Sequence, residues 1–144
     1  MNLNLAGSIG PNHMPNCGVT AVAVCAGVPF EKAWDVIKNR VKRGGSWKGR
    51  TTHYDRVDAL NALGVRHSVE YVKLSRRERG DRLKDWVPHL NTALVYLVTV
   101  TGHAITVHNG QYVDQYTREF VPLEGTRLLN KRVTSVVRII GGRA

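Results

Sequence analysis

Three side chains in this chain are equipped for chemistry in combination. Cys17 lies in Asn16-Cys17-Gly18-Val19-Thr20-Ala21-Val22-Ala23, His103 in Gly102-His103-Ala104-Ile105, and Asp114 closes Asn109-Gly110-Gln111-Tyr112-Val113-Asp114. A thiol attacks a carbonyl carbon as its thiolate, and an imidazole within hydrogen-bond reach takes the thiol proton and later returns it to the leaving group. A carboxylate behind the ring fixes its tautomer and stabilises the imidazolium. These are the parts of a thiol-nucleophile hydrolase, with Cys17 as nucleophile, His103 as general base and acid, and Asp114 as the orienting group.

Two elements must position them. Asn16 is a favoured N-cap and Val19 to Ala26 is apolar nearly all round, which predicts a buried helix ended by Gly27. Cys17 then sits in the first turn, where the helix dipole and unpaired N–H groups favour a thiolate and can hold an oxyanion. Gly18, with no side chain, is expected to let substrate approach the sulfur. Cys25, inside the apolar run, reads as a small buried hydrophobe, and both cysteines as reduced thiols. Downstream, Asn109-Gly110 is a strong hairpin signal between Gly102–His108 and Gln111–Tyr116. Its register pairs His108 with Gln111, Ile105 with Asp114 and His103 with Tyr116. His103 and Asp114 become diagonal neighbours on one face, with Cα atoms roughly 7–8 Å apart. Asn109 is the other candidate for orienting His103; the turn already accounts for it, and Asp114 is preferred.

The remaining elements follow from pattern. Pro29 to about Arg40 reads as a helix, and Thr51 or Thr52 caps another through Leu63, with Tyr54, Val57, Leu60 and Leu63 on its apolar face. Val65 to Lys73 reads as a strand, Leu74 or Ser75 to Val87 as a charged helix, Thr92 to Val100 as a central strand, and Val133 to Ile140 as the last. Helices lead and an antiparallel sheet follows, the α+β pattern, in one domain over residues 1–144.

The order of parts resembles the papain-like cysteine peptidase fold, in particular its small bacteriocin-processing (C39-like) members and related short proteins of phages. The matching residues are Asn16 to Ala23, Gly102 to Ile105 and Asn109 to Asp114, with Leu83-Lys84-Asp85-Trp86 ahead of Ala93 to Val100 like the helix and central strand that lead to the family's histidine. The resemblance implies N-terminal helices packed on a C-terminal antiparallel sheet, a Cys17-His103-Asp114 triad and a cysteine peptidase or related amide hydrolase. The family has a glutamine about half a dozen residues before its cysteine that completes the oxyanion hole. No glutamine precedes Cys17; Asn12 is the nearest amide and His13 the other candidate, beside the Cys17 N–H. Gly18, Trp47 and Gly102 are the candidate substrate contacts.

Charge points to partners. Lys and Arg number 21 against 11 acidic residues, a formal net charge of +10, so anionic partners are favoured. A protein or peptide substrate, acidic ones included, fits this field. Nucleic acid would use it too, but zinc-finger spacing and RNP-type aromatic patterning are missing, and that partner ranks lower. The other alternative is an inactive papain-like scaffold that binds or inhibits a partner. His53 and His67 have no partner at metal spacing, so neither a metal nor an organic cofactor is expected. No stretch is long enough to span a membrane, and Met1 to Pro11 lacks a signal peptide's basic start and apolar core. The expected location is the cytoplasm, that of the host if phage-encoded. Oligomeric state is not readable from the sequence.

Overall fold

The computed structural model describes residue 5 and residues 7–12, 14–42 and 46–141, with the side chains of residues 40–42 outside the description. Helix α1, Cys17–Ala26, is buried from Gly18 to Cys25, as its continuous apolar run demands. Helix α2, Phe30–Val36, runs on into a π-helical stretch, Ile37–Lys42, and helix α3 spans His53–Ala62. Thr52 caps α3 in a reciprocal box: its hydroxyl accepts the Asp55 N–H at 3.2 Å, and Asp55 Oδ2 accepts the Thr52 N–H at 2.8 Å.

Six strands form one sheet: β1 Arg66–Val72, β2 Val95–Val100, β3 His103–His108, β4 Gln111–Val113, β5 Val121–Pro122 and β6 Val133–Gly141. Their order is β1-β6-β2-β3-β4-β5, and every neighbouring pair is antiparallel. The last strand thus inserts between the first two, pairing Val98 with Val136 while β3 pairs Ile105 with Val98 from the other side. Strand β2 is buried at every residue because both faces of the sheet are covered. Val95, Leu97, Ala104, Val137 and Ile139 pack under α1, α2 and α3. Tyr96, Val98, Val100, Ile105, Val107, Val133 and Val136 face Leu83 and Leu123 on the opposite side.

The mixed α and β composition and the antiparallel sheet agree with the sequence. One expected helix does not form: between Leu74 and Val87 only α4, Leu83–Trp86, is α-helical, followed by a 3-10 turn, Val87–His89. Side chains here bond the local backbone instead, with Glu78 accepting the Leu74 N–H at 2.9 Å and Ser75 accepting the Arg77 N–H at 3.2 Å. The chain is then drawn onto β6 by hydrogen bonds from Val133 N–H to Asp81 O at 2.8 Å and Leu83 N–H to Lys131 O at 2.9 Å. Gly80 passes so close that a Cβ there would strike the Val133 carbonyl and approach the Tyr71 hydroxyl to 3.0 Å. Strand β2 also begins later than expected, because Asn91 turns the chain, its Oδ1 accepting the Ala93 N–H at 2.9 Å. Among the described residues no helix is long and apolar enough to cross a membrane.

Candidate active site

Cys17 opens α1, half-buried, with the helix N-terminus behind its sulfur. Asn16 occupies the N-cap position, yet its side chain does not cap the helix. Its Nδ2 donates to Pro11 O at 2.6 Å and its Oδ1 accepts the Thr20 hydroxyl at 3.0 Å. The amide oxygen that was expected to satisfy the first-turn N–H groups is taken by Thr20 within the helix, while the amide nitrogen holds the preceding loop. The first turn is thus without a side-chain cap at the end where Cys17 and Gly18 line the cleft, and uncapped N–H groups are what an oxyanion site needs.

The hairpin brings His103 to this helix end. Asn109 and Gly110 both have positive φ, 53° and 72°, the turn that matches strand twist, and His108 pairs with Gln111 as the two-residue loop requires. The ladder runs through Val107–Tyr112 and Thr106–Val113 and then stops, so the expected Ile105–Asp114 and His103–Tyr116 pairs do not form. Asp114 instead starts a turn in which its Oδ1 accepts the N–H groups of Tyr116 and Thr117, each at 2.8 Å. The turn frees Oδ2, which accepts the His103 Nε2 proton at 2.6 Å. Tyr116 meets His103 by stacking, with ring centroids 5.8 Å apart, rather than as a ladder partner. Since Nε2 is taken by Asp114, Nδ1 is the ring nitrogen left to serve the Cys17 thiol, which lines the same cleft.

The electrostatics follow from these contacts. Burial pushes the Cys17 thiol up, but the His103 hydrogen bond, the Ala104 N–H and the charges of His103 and Arg56 outweigh it and hold the thiol below its ordinary value. Burial alone would depress His103; Asp114 and Cys17 together raise it to about 9. Asp114 is 4% exposed, which works against ionisation, yet the His103 bond and the two turn N–H groups keep its carboxyl below the usual range. The three shifts run in the direction that favours a thiolate beside an imidazolium. Cys25 provides the contrast within the same helix: enclosed beside Thr106 Oγ1 at 3.6 Å, its thiol is pushed up to about 12. It is buried and inert.

The sulfur opens into a cleft of about 730 Å³ walled by the segment from Gly49 to Tyr54, the end of β1 at Val72 and Lys73, and the β2–β3 end from Thr99 to Ala104. Gly102 lines this cleft. Gly18 lines it too, but its missing side chain serves packing: a Cβ there would collide with Thr51 Oγ1 and come within 3.2 Å of Arg56 Cδ. Asn12 is exposed and outside the cleft wall, and Trp47 packs against Trp34 with centroids 4.5 Å apart while donating Nε1 to Arg50 O at 2.7 Å. His13 and residues 43–45 of the neighbouring loop lie outside the described residues.

Two residues near the site carried no sequence signal. Arg56 is buried in α3, on the face where Tyr54 was expected; Tyr54 is 61% exposed. The guanidinium is tolerated inside because Thr51 O, Thr51 Oγ1 and Thr99 Oγ1 accept from it at 3.1, 3.0 and 2.9 Å. Gln115, 1% exposed, donates Nε2 to Met14 O at 2.7 Å and Pro11 O at 3.4 Å, tying the acid's turn to the loop that leads into Cys17. Arg118 adds a bond to Gly10 O at 2.9 Å. His53 lines the cleft edge-on to Tyr54, and His67 donates Nδ1 to Val65 O at 2.9 Å. Among the described residues no group of three or more histidine, cysteine or acidic side chains is placed to hold a metal ion. No family model, no curated protein and no solved structure matches the chain.

Proposed function

We propose that the protein is a cysteine peptidase or related thiol-dependent amide hydrolase with a papain-like fold. The observation that carries this reading is the single imidazole that bonds the Asp114 carboxylate at 2.6 Å through Nε2 and shares its cleft with the Cys17 thiol in the first turn of α1, close enough for each to shift the other's titration. The fold reading is supported by the buried cysteine-bearing helix lying on an antiparallel sheet whose third strand starts with the histidine.

In the reaction, the Cys17 thiolate attacks the substrate carbonyl carbon and the carbonyl oxygen takes the negative charge beside the α1 N-terminal N–H groups. His103 gives its Nδ1 proton to the departing amine as the carbon–nitrogen bond breaks, leaving a Cys17 thioester. The neutral imidazole then draws a proton from water, whose hydroxide equivalent attacks the thioester; the acid product leaves and the thiolate–imidazolium pair returns. Asp114 holds the ring and its charge throughout. A second reading, a papain-like scaffold that binds or inhibits a partner, is favoured by the position of Asn12 outside the cleft, which leaves the oxyanion to backbone donors.

An activated acyl ester separates the two. With p-nitrophenyl acetate the hydrolase reading expects a stoichiometric burst of nitrophenol and an acetyl adduct mapped to Cys17, both lost in Cys17→Ala and His103→Ala. A folded protein that forms no Cys17 adduct contradicts it.

A further inference from the structure

The cleft that holds Cys17 and His103 has walls of one charge sign. Arg50, Arg56 and Lys73 line it, and among the described residues no aspartate or glutamate does. The carboxylates adjoining these walls are engaged elsewhere: Asp55 accepts the Thr52 N–H at 2.8 Å, and Asp114 is bonded behind His103 at 2.6 Å. Arg56 is fixed by Thr51 and Thr99 and contributes charge from within the wall. Arg50 is exposed on the strand of chain entering α3, and Lys73 is half-buried just beyond β1, so both heads are available to a ligand. Neither makes an ion pair among the described residues.

Resting on the hydrolase reading, we propose that this cleft selects an amide substrate bearing a carboxylate near the scissile bond, with Arg50 and Lys73 as its receptors. A guanidinium offers a carboxylate two parallel donors and an ammonium offers a point charge, while a low-dielectric cleft focuses their field onto the approaching group. The same charges would attract a phosphodiester. A phosphodiester presents no acyl carbon to the thiolate, and the cations share their cleft with that thiolate, which makes the carboxylate the better match.

Two alkylating reagents of nearly equal size test the proposal without a known substrate. In a Cys25→Ala background, the rate of Cys17 modification by anionic iodoacetate is divided by the rate with neutral iodoacetamide, so that intrinsic thiolate reactivity cancels. Two unit charges within roughly 10 Å of the reagent are worth about 1 kcal/mol even at the dielectric of water, so removing them lowers this ratio severalfold. The expected result is that fall in the double variant Arg50→Gln, Lys73→Gln, a smaller ratio at high salt, and no change in Arg76→Gln, Arg77→Gln, which removes the same charge from the exposed loop beyond β1. An unchanged ratio in the cleft variant, or an equal fall in the loop variant, overturns the proposal. Protection of Cys17 from iodoacetamide identifies the source of the carboxylate: a glutamate-rich peptide with an amidated end reports a side chain, and a neutral peptide with a free end reports a C-terminus. Protection by a single-stranded oligonucleotide and by neither peptide overturns it in favour of a nucleic-acid groove. A Cys17 thiol no more reactive to iodoacetamide than a free thiol would fail the hydrolase reading instead, because the charge ratio does not depend on that rate.

Discussion

His103 and Asp114 are joined at 2.6 Å although strand β4 ends one residue before Asp114, so the acid reaches the imidazole from a turn and not across the ladder. Within that turn the two carboxylate oxygens are divided. Oδ1 holds the backbone of Tyr116 and Thr117, and Oδ2 holds the ring. A strand residue would have placed one oxygen toward His103 and left the other to solvent.

Replacing Asp114 by asparagine should retain the turn through the amide oxygen and lose the charge that raises His103. The His103 ring is expected to titrate well below its value of about 9 in ring-proton NMR. Acylation of Cys17 by an activated ester should fall by about 10²- to 10⁴-fold. An unchanged ring titration would show that Asp114 does not set the protonation state.

The pH dependence has two limbs. Acylation should rise with pH through the lowered Cys17 value and fall as His103 loses its proton near pH 9. Stability is linked to the same groups. The folded His103 value lies above the ordinary imidazole value of about 6.5, so the protonated ring stabilises the fold fully below that pH and the contribution is lost as pH rises through about 9. Asp114, held low, contributes above the ordinary carboxyl range and loses its contribution as pH falls through its lowered value. Urea denaturation across pH should show wild type losing its advantage over His103→Ala in the alkaline range; parallel curves would contradict the linkage.

Gln115 is a positioning residue. Gln115→Leu removes the side-chain amide from the Met14 and Pro11 carbonyls, which keep only their bonds from Asn16, at a cost of about 0.5–1.5 kcal/mol in unfolding free energy. The loop before Cys17 loosens, so thiol reactivity should drop while the His103 ring still titrates above the ordinary imidazole value, the Asp114 bond being intact. A purely structural glutamine would lower stability and leave the reactivity of the folded fraction unchanged.

Gly18 is constrained by packing. Gly18→Ala drives a methyl group into Thr51 Oγ1 and should cost about 1–3 kcal/mol, with partial recovery when Thr51→Ala removes the obstructing hydroxyl. Thermal denaturation of the two single variants and the double checks both parts. A Gly18→Ala protein that melts with wild type would mean the first turn of α1 has room to spare.

What the sequence disclosed was local. The apolar run behind Cys17 and the terminating Gly27 define α1, and the Asn109-Gly110 turn sets the His108–Gln111 register, which is enough to send His103 and Asp114 to the same end of the sheet. What it concealed depends on distant partners. Arg56 is inside because Thr51 and Thr99 meet its guanidinium, Gln115 matters because it reaches Met14, and the chain up to Arg82 is drawn out of a helix by its bonds to Arg132 and Val133 at the start of β6. The Asn16 side chain shows the same limit at shorter range: its residue type suits a cap, and Pro11 and Thr20 take it instead.

The most direct measurement is the rate of Cys17 alkylation by iodoacetamide between about pH 4 and pH 10, a span that brackets perturbed and free thiols. It is made in Cys25→Ala protein with and without His103→Ala. A thiolate that persists well below the free-thiol range and disappears with His103 is the predicted result. A thiol that titrates as a free cysteine in both proteins would contradict the thiolate–imidazolium pair on which the account rests.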